Sequence, residues 1–272
     1  MAAILRRSVA LQPPIPARDA SGRAPGAILS EPCASCPVRG VAACVTLAPA
    51  TRAALSRRLT QSSLAPGVPL ATGEPGAVVG VLASGWLRRV RFAPDGRRRV
   101  LGLVQPGELI SASPEAMGEV EAATEAWVCR FDRAELDRLA PGDRSLSRAR
   151  FAQAHRELDR LRHLALCLAV LTPEQRLAGF LAASVETMAW RPAPTGGGVL
   201  TLQLPRPDIA DMLGTTVESI SRVTRRFARE GLIRILDPSR FEIPDLDALA
   251  RLASVERLPP ASSALRGAAP RP

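Results

Sequence analysis

Three cysteines near the N-terminus have the spacing of metal ligands. Two residues separate Cys33 from Cys36, and seven separate Cys36 from Cys44. Iron–sulfur clusters are held by thiolates and normally need four of them, so the fourth would be Cys129 or Cys167. Cys167 is flanked by leucines, which is typical of a small buried hydrophobe. Zinc also takes four cysteines, and a metal-free thiol–disulfide switch is a third use of these residues.

A second group of polar residues, near the C-terminus, has the spacing of a helix that reads DNA. Glu218, Ser221 and Arg222 stand at i, i+3 and i+4, which places them on one helical face. Glutamate accepts a hydrogen bond from cytosine N4, and arginine bonds guanine O6 and N7 together. Arg225 and Arg226 follow and are suited to phosphate contacts.

Helices and a small hairpin are predicted to position those polar residues. Residues 206–213 indicate a short helix, and Gly214 supplies the tight corner before a second helix that begins near Thr216. Two β-prone runs, 232–236 and 240–243, form a hairpin that we call the wing. The predicted core face of the second helix consists of Val217, Ile220, Val223 or Thr224, and Phe227. Together these features predict DNA binding over the alternative of a solvated helix.

The longest periodic segment indicates a helix that pairs with a second copy of the chain. Its apolar residues alternate spacings of three and four over about three heptads, which is the pattern of a dimer seam. The seam consists of Phe151, Ala154, Leu158, Leu161, Ala165 and Leu168. Charges flank it at Arg150, Arg156, Glu157, Asp159, Arg160 and Arg162, so we expect a weak dimer. An ordinary amphipathic helix packed on its own domain is the alternative.

The segment before this helix has the pattern of a small β-roll. Strand signals run over roughly 50–130, and glycines punctuate the region. Two β-prone runs, 86–92 and 98–104, are joined through Pro94-Asp95-Gly96, a hairpin signal. A short helix is predicted over 131–139.

Capping signals mark another helix after the seam. Thr172 is the predicted N-cap and Pro173 the first helical residue of a helix that runs to about Met188. The proline- and glycine-rich run 191–198 is predicted to be a loop.

Composition favours a polyanionic partner. The formal net charge is +10, and the chain has no lysine, so arginine supplies its basic residues. The longest strongly apolar run, 164–171, is far shorter than the ~20 residues that span a bilayer. We therefore expect a cytoplasmic protein with no membrane partner. The two histidines, His155 and His163, lie on the seam helix and no nucleophile–base pair accompanies them, so we do not expect an enzyme.

At this point the sequence resembles a known family. Asp208-Ile209-Ala210 and the run Leu213-Gly214-Thr215-Thr216-Val217-Glu218-Ser219-Ile220-Ser221-Arg222 resemble the recognition motif of CRP/FNR regulators, the FNR branch most of all. Residues 85–109, with their Asp-Gly hairpin and Pro106-Gly107-Glu108-Leu109, are similar to the family's sensor β-roll. The seam helix stands where the family has its dimer helix. The resemblance covers roughly residues 33–252.

The resemblance implies an oxygen-responsive transcription regulator. Glu218, Ser221 and Arg222 match residues that read a TTGAT-type half-site in double-stranded DNA, and a homodimer would read a palindrome, with RNA polymerase as a further partner. Cys129 matches the family's distant ligand, which implies a 4Fe–4S cluster on Cys33, Cys36, Cys44 and Cys129 that supports the dimer when oxygen is absent. The seven-residue spacer resembles that of α-proteobacterial FNR-like proteins.

A cyclic nucleotide is not expected in the roll. Family members that bind one hold its phosphate with an arginine and a serine or threonine after the Gly-Glu turn. Between Val100 and Cys129 this chain has no arginine or lysine but five glutamates, which would repel a phosphate. A zinc-stabilised DNA-binding protein without a sensing role is the second hypothesis.

The predicted fold class is α+β, with an N-terminal β-roll sensor domain similar to cyclic-nucleotide-binding domains, a long dimerisation helix and a C-terminal winged helix-turn-helix. The five expected parts are a disordered extension (1–30), the cysteine segment with the roll (31–143), the dimerisation helix (144–171), the DNA-binding domain (172–255) and a disordered tail (256–272).

Overall fold

The computed structural model describes residues 33, 36–38, 42–70, 78–94, 96–111, 118–194 and 196–253. The predicted disorder at 1–30 and 256–272 lies outside the described residues. The helices are a 3-10 helix Ala43–Thr46, α1 Pro49–Arg57, α2 Arg133–Leu139, α3 Arg144–Val170, α4 Pro173–Thr187, α5 Arg206–Met212, α6 Val217–Arg229 and α7 Leu246–Leu252. The strands are β1 Thr60–Leu64, β2 Val78–Ser84, β3 Leu87–Phe92, β4 Arg98–Val104, β5 Leu109–Ser111, β6 Glu119–Ala122, β7 Ala126–Arg130, β8 Ala189–Pro192, β9 Gly198–Thr201, β10 Arg234–Ile235 and β11 Arg240–Ile243.

The β-roll is built from two antiparallel sheets with a shared core. One sheet has the strand order β1-β7-β2-β5 and the other has β4-β3-β6. Alternate side chains of both point inward, and the buried set includes Leu82, Leu87, Val104, Ile110 and Val128. The predicted β3–β4 hairpin is confirmed, although Asp95 at its turn lies outside the described residues.

The expected strand character is wrong at its start, where a helix forms instead. Pro49 occupies the first turn of α1, a position that proline tolerates because the amide there has no helical partner. Thr51 and Leu55 are buried one turn apart, and this i, i+4 spacing is a helical period that short β-prone windows do not reveal.

Aspartates set the starts of the two helices that follow the roll. The predicted helix from Phe131 begins instead at Arg133, because the Asp132 carboxylate caps it by accepting from the amide of Glu135 at 2.8 Å. Asp143 caps α3 by accepting from the amides of Ser145 and Leu146. Asp143 also accepts from the Thr51 hydroxyl, which ties α1 to the start of α3.

Helix α3 is held against the roll by two ion pairs. Nε of Arg89 lies 2.8 Å from Oε1 of Glu157, and the Arg89 side chain is 6% exposed. Farther along, both Nη atoms of Arg160 donate to the carboxylate of Glu108. Glu157 and Arg160, two of the charges that flank the seam, thus pair with the roll, and the weak dimer stays a prediction. In the ranges given above, no helix has the length and apolar character that crossing a membrane requires.

The C-terminal domain packs four helices, α4 to α7, and a third sheet around its own core. The Thr172 cap and Pro173 at the first position of α4 are confirmed, and Gln175 completes a capping box. The sheet has the order β10-β11-β9-β8. The predicted loop 191–198 is wrong at both ends, because β8 and β9 pair directly across a short turn. Helix α7 was not predicted, and it packs on α4 through Leu249, which is fully buried.

Arg176 fixes the corner between α3 and α4. Its guanidinium donates to the carbonyl oxygens of Leu168 and Leu171 at 2.9 Å and to that of Leu213 at 3.0 Å. Carbonyls at a helix C-terminus lack intrahelical partners, and a single cation satisfies them here while joining α3 to the end of α5.

We expect Asp143→Ala to lower the free energy of unfolding by about 1 kcal/mol, because an N-cap of α3 is lost. The Ser145 hydroxyl, followed by that of Thr51, lowers the pKa of Asp143 from 3.8 to about 2. The charge-dependent part of this stabilisation is thus present above about pH 4 and is lost as pH falls toward 2. Urea unfolding followed by circular dichroism measures the change. Asp143→Asn, which keeps a capping acceptor, is the control, and an Asp143→Ala protein as stable as the parent would contradict the assignment.

Candidate nucleic-acid interface and cysteine site

Helix α6 has the buried and exposed faces predicted for a DNA-reading helix. Thr216 caps it by accepting from the amide of Ser219 at 3.2 Å. Ile220, Val223 and Phe227 are 1–4% exposed and join the core of the domain, which confirms the predicted apolar face.

Gly214 makes the turn before α6 and touches the end of α3. Its φ is +59°, a left-handed value that glycine adopts without strain. A Cβ placed there would lie 2.8 Å from Cδ2 of Leu168. The turn residue therefore needs to be glycine for two reasons, its conformation and its close approach to the seam helix.

The opposite face of α6 presents polar groups to solvent. Glu218, Arg222 and Arg225 are exposed, and Ser221 is half-buried. The helix amide of Glu218, followed by the Thr216 hydroxyl, lowers the pKa of the Glu218 carboxyl, so it is a charged acceptor at neutral pH. The face thus offers a carboxylate, a hydroxyl and two guanidinium groups to a partner in a groove.

Arg226 differs from the other predicted phosphate-binding residue. Its Nε lies 2.8 Å from the carboxylate of Glu230 and its Nη1 lies 3.8 Å from that of Glu174 on α4. Hydrogen bonding and charge from Glu230 raise the pKa of Arg226. A phosphate at this position would have to compete with two carboxylates, whereas Arg225 stands exposed on the face itself.

Arg206 belongs to this surface and was not predicted. Its Nη1 lies 3.4 Å from Oγ of Ser221, and its Nη2 donates to the carbonyl oxygen of Pro238 at the wing tip at 3.1 Å. The tip is itself shaped by Asp237, which accepts from the Arg240 side chain and from the amide of Ser239. Arg206 thereby joins the wing to the reading helix, a contact between residues too far apart in sequence for periodicity to reveal.

The predicted cysteine ligands are neighbours in the structure. Cys33, Cys36 and Cys44 are half-buried, and Cys129 is buried in β7. Burial, followed by the neighbouring Cys36, raises the pKa of Cys129 to about 11, with smaller contributions from Cys33 and Cys44. Nε2 of Gln61 lies 3.8 Å from Sγ of Cys129 and partly offsets this effect. Among titratable groups, the three N-terminal thiols are thus the main ones that raise the pKa of Cys129.

Apolar packing holds the cysteine segment between the roll and α3. The amide of Ala43, in the 3-10 helix that carries Cys44, donates to the carbonyl of Gly107 at 2.7 Å. The buried cluster beneath the segment contains Val38, Ala42, Ala43 and Leu47 together with Leu146 and Ala149 of α3. The segment thus covers the first two turns of α3, immediately before the seam.

Cys167 stands apart from these four cysteines. It is half-buried on α3, and its Sγ lies 3.4 Å from Nε2 of His163 on the preceding turn. In the part of the chain that the structure describes, no three His, Cys, Asp or Glu side chains are arranged as a formed metal site. The four neighbouring thiols nonetheless match iron–sulfur chemistry in donor type and number.

All six seam residues are exposed on α3. Phe151 is 77% exposed, Leu158 43%, and Leu161 and Leu168 38% each. Ala154 and Ala165 are also exposed, while Leu171, which follows the last residue of the helix, is buried. The chain therefore carries an uncovered apolar stripe along the helix, as the heptad spacing predicted.

Comparison with known proteins agrees with this geometry. A Crp-like helix-turn-helix domain profile matches residues 175–252. A probable transcriptional activator from Rhizobium leguminosarum is 31% identical over 82% of this chain and 93% of its own length. The transcriptional activatory protein AadR of Rhodopseudomonas palustris is 32% identical over 76% of this chain and 90% of its own. The structure of FixK2 from Bradyrhizobium japonicum, at 23% identity, covers 73% of this chain and 99% of its own with a TM-score of 0.63, which shows the shared fold.

The helix-turn-helix profile, the extent of these relatives and the shared fold lead to one conclusion. The chain belongs to the CRP/FNR family of DNA-binding transcription regulators and is not an enzyme.

Proposed function

We propose that the protein is an oxygen-responsive transcription regulator whose DNA-binding dimer depends on a 4Fe–4S cluster held by Cys33, Cys36, Cys44 and Cys129. The observation that carries the proposal is that Cys36 and Cys44 pack on the apolar cluster that includes Val81, the register partner of the buried Cys129. Thiolates are the ligands that such clusters require, and four are present.

The chain's own residues explain how a cluster would be kept and read out. When bound, an oxygen-labile cluster supplies a chemical signal of oxygen. The four cysteines hold it, and the apolar packing of Val38 and Leu47 beside them limits access of water. Gln61 donates toward Cys129, which favours the charged sulfur that a metal ligand needs.

One route from the cysteine site to the dimer helix runs through the start of α3. The amide of Ala48 donates to Oγ of Ser145 at 2.7 Å, and Thr51 bonds the capping Asp143. The cysteine segment also packs on Leu146 and Ala149. Release of the segment would remove a cap partner and the apolar cover of this first part of the helix.

A second route reaches the middle of α3. The amide of Ala43 bonds the Gly107 carbonyl, and the adjoining Glu108 holds Arg160. Arg160 precedes Leu161 of the seam, so this turn of the roll joins the cysteine segment to the dimer surface. A shift of a few kcal/mol in a weak dimer changes its population by orders of magnitude.

The remaining partners follow from the surfaces. A second copy covers the seam, and the dimer holds two α6 helices about one DNA turn apart, ~34 Å, to read a TTGAT-like palindrome. The protein acts in the cytoplasm with RNA polymerase as its further partner. Glu108 already accepts from Arg160 and from the amide of Gln105, which supports the proposal that the roll binds no cyclic nucleotide.

Replacing a ligand should remove the cluster. We expect anaerobically purified Cys129→Ala, like the same change at Cys33, Cys36 or Cys44, to lack iron and acid-labile sulfide, while Cys167→Ala retains both. Iron, sulfide and visible absorbance are the measurements. Loss of iron from Cys167→Ala with retention in Cys129→Ala would contradict the ligand assignment. A colourless parent protein that contains zinc would overturn the cluster itself.

Substitutions on α6 should separate base reading from phosphate binding. Arg222→Ala should cost about 1–3 kcal/mol of discrimination at one base pair of the half-site, because a bidentate base contact is lost. Arg225→Ala should weaken binding to all sequences and lower the salt dependence by about one phosphate contact. Fluorescence anisotropy on specific and random duplexes at several salt concentrations tests both. Equal losses on both duplexes for Arg222→Ala would argue against base reading.

Breaking the second route should leave the cluster but uncouple it from dimerisation. We expect Arg160→Gln to retain anaerobic absorbance while its dimer affinity no longer falls on air exposure, as measured by sedimentation velocity. Arg162→Gln is the control, because Arg162 is 66% exposed and pairs within α3 with Asp159. Leu161→Asp should abolish the dimer with the cluster intact. A parent dimer of unchanged affinity after complete cluster loss would end the mechanism, although DNA binding would stand.

A further inference from the structure

The β3–β4 hairpin of the roll forms ion pairs with the first helix of the helix-turn-helix. Arg88 and Arg98 both bond the carboxylate of Asp208 on α5, with Nη2 of Arg98 at 3.0 Å from Oδ1. The same two arginines bond Glu121 of β6. The Asp208 side chain is 1% exposed, so two cations and two anions from separate domains form one network around a buried carboxylate.

Two further contacts extend this interface between the roll and the DNA-binding domain. Asp211, one turn along α5, accepts from Nη1 of Arg99 at 3.1 Å and from the amide of Val100 at 3.2 Å. Trp86, at the start of the hairpin, is 2% exposed and donates through Nε1 to Gln203 at 2.9 Å. Trp86 also belongs to the apolar core of the DNA-binding domain. The roll thus contacts the segment that begins the helix-turn-helix through charge, backbone and aromatic packing together.

We propose that Arg88 and Arg98 are positioning residues that, through Asp208, fix the orientation of the reading helix relative to the roll for binding two DNA half-sites at once. We call this network the brace. The proposal rests on the proposed dimeric reading of a palindrome. In the braced arrangement Glu218, Arg222 and Arg225 stay exposed, so the contact leaves the reading face open to DNA.

The physics of buried ion pairs favours a positioning role over a purely stabilising one. The cost of removing charges from water offsets most of their attraction, but only one relative orientation satisfies every partner. Burial would lower the pKa of Arg88, yet its bonds to Asp208 and Glu121 raise it overall, so the guanidinium stays charged. Fixing the orientation of α6 before binding lowers the free-energy cost of ordering it on DNA. A dimer on two half-sites must order two such helices, so the effect is larger there.

The test compares Arg98→Gln with Arg91→Gln. Arg98 is 30% exposed and its loss leaves the Arg88–Asp208 pair in place, so the protein should still fold. Arg91 is exposed on the same hairpin and pairs in register with Arg99, so its replacement removes an equal charge without removing an Asp208 partner. Three quantities are measured: the affinity for a duplex with one half-site, the affinity for a duplex with two half-sites, and the fluorescence emission of Trp86. Trp127 and Trp190 are changed to phenylalanine for the emission measurement, so that Trp86 alone is observed.

We expect Arg98→Gln to weaken binding of the two-half-site duplex about tenfold, which is ~1.4 kcal/mol, with little change for one half-site and a red shift of Trp86 emission. Arg91→Gln should match the parent in all three. If Arg98→Gln weakens binding of both duplexes equally, or of neither, the brace is overturned. The proposed function still stands in that case if the parent protein binds the two-half-site duplex more tightly than the one-half-site duplex. If the parent protein shows no preference for two half-sites, both proposals are wrong. Trp86 emission would then show only whether the roll still contacts the DNA-binding domain.

Discussion

The carboxylate of Glu108 accepts from both Nη atoms of Arg160, and this pair joins a tight turn of the roll to the middle of α3. The same turn receives the amide of Ala43 through Gly107 and bonds β2 through Leu82. The cysteine segment, the roll and the seam helix therefore meet at one point. Since the second ion pair, Arg89–Glu157, lies on the same side of α3, the apolar stripe is left facing outward.

Many charged side chains in this protein form specific ion pairs, which the net charge of the sequence does not reveal. The glutamate-rich stretch after Val100 was expected to act by repelling phosphate, but Glu108 and Glu121 are each paired with arginines from other elements. Three arginines of the hairpin, Arg88, Arg98 and Arg99, likewise bond carboxylates of the DNA-binding domain. Net charge indicated the class of partner correctly, while the position of each charge depended on the fold.

Local signals predicted local structure well. The Asp-Gly hairpin, the Thr172-Pro173 cap, the turn glycine and the apolar face of α6 were all readable, because each depends on residues within a few turns of one another. The exposed seam followed from its heptad spacing for the same reason.

What could not be predicted depends on partners distant in sequence. The pairing of β8 with β9 was not predicted, because the prolines and glycines around its turn indicated a loop. Arg206, Arg176 and Asp208 look like ordinary helix-end residues until the wing, α3 and the hairpin are folded against them. Cysteine spacing did not choose between Cys129 and Cys167 as the fourth ligand, so Cys129 was assigned from the leucines that flank Cys167 and from family resemblance.

The corner that Arg176 makes has a mechanical consequence. Because one guanidinium holds three carbonyls at this corner, a tilt of α3 would carry the attached DNA-binding domain with it. A helix of 27 residues is ~40 Å long at 1.5 Å per residue. A tilt of about five degrees at its cysteine end would displace the far end by roughly 3.5 Å over that length, about the rise of one base pair. In the proposed mechanism, the length of α3 would therefore amplify a small rearrangement beside the thiols into a larger displacement at the DNA-binding end.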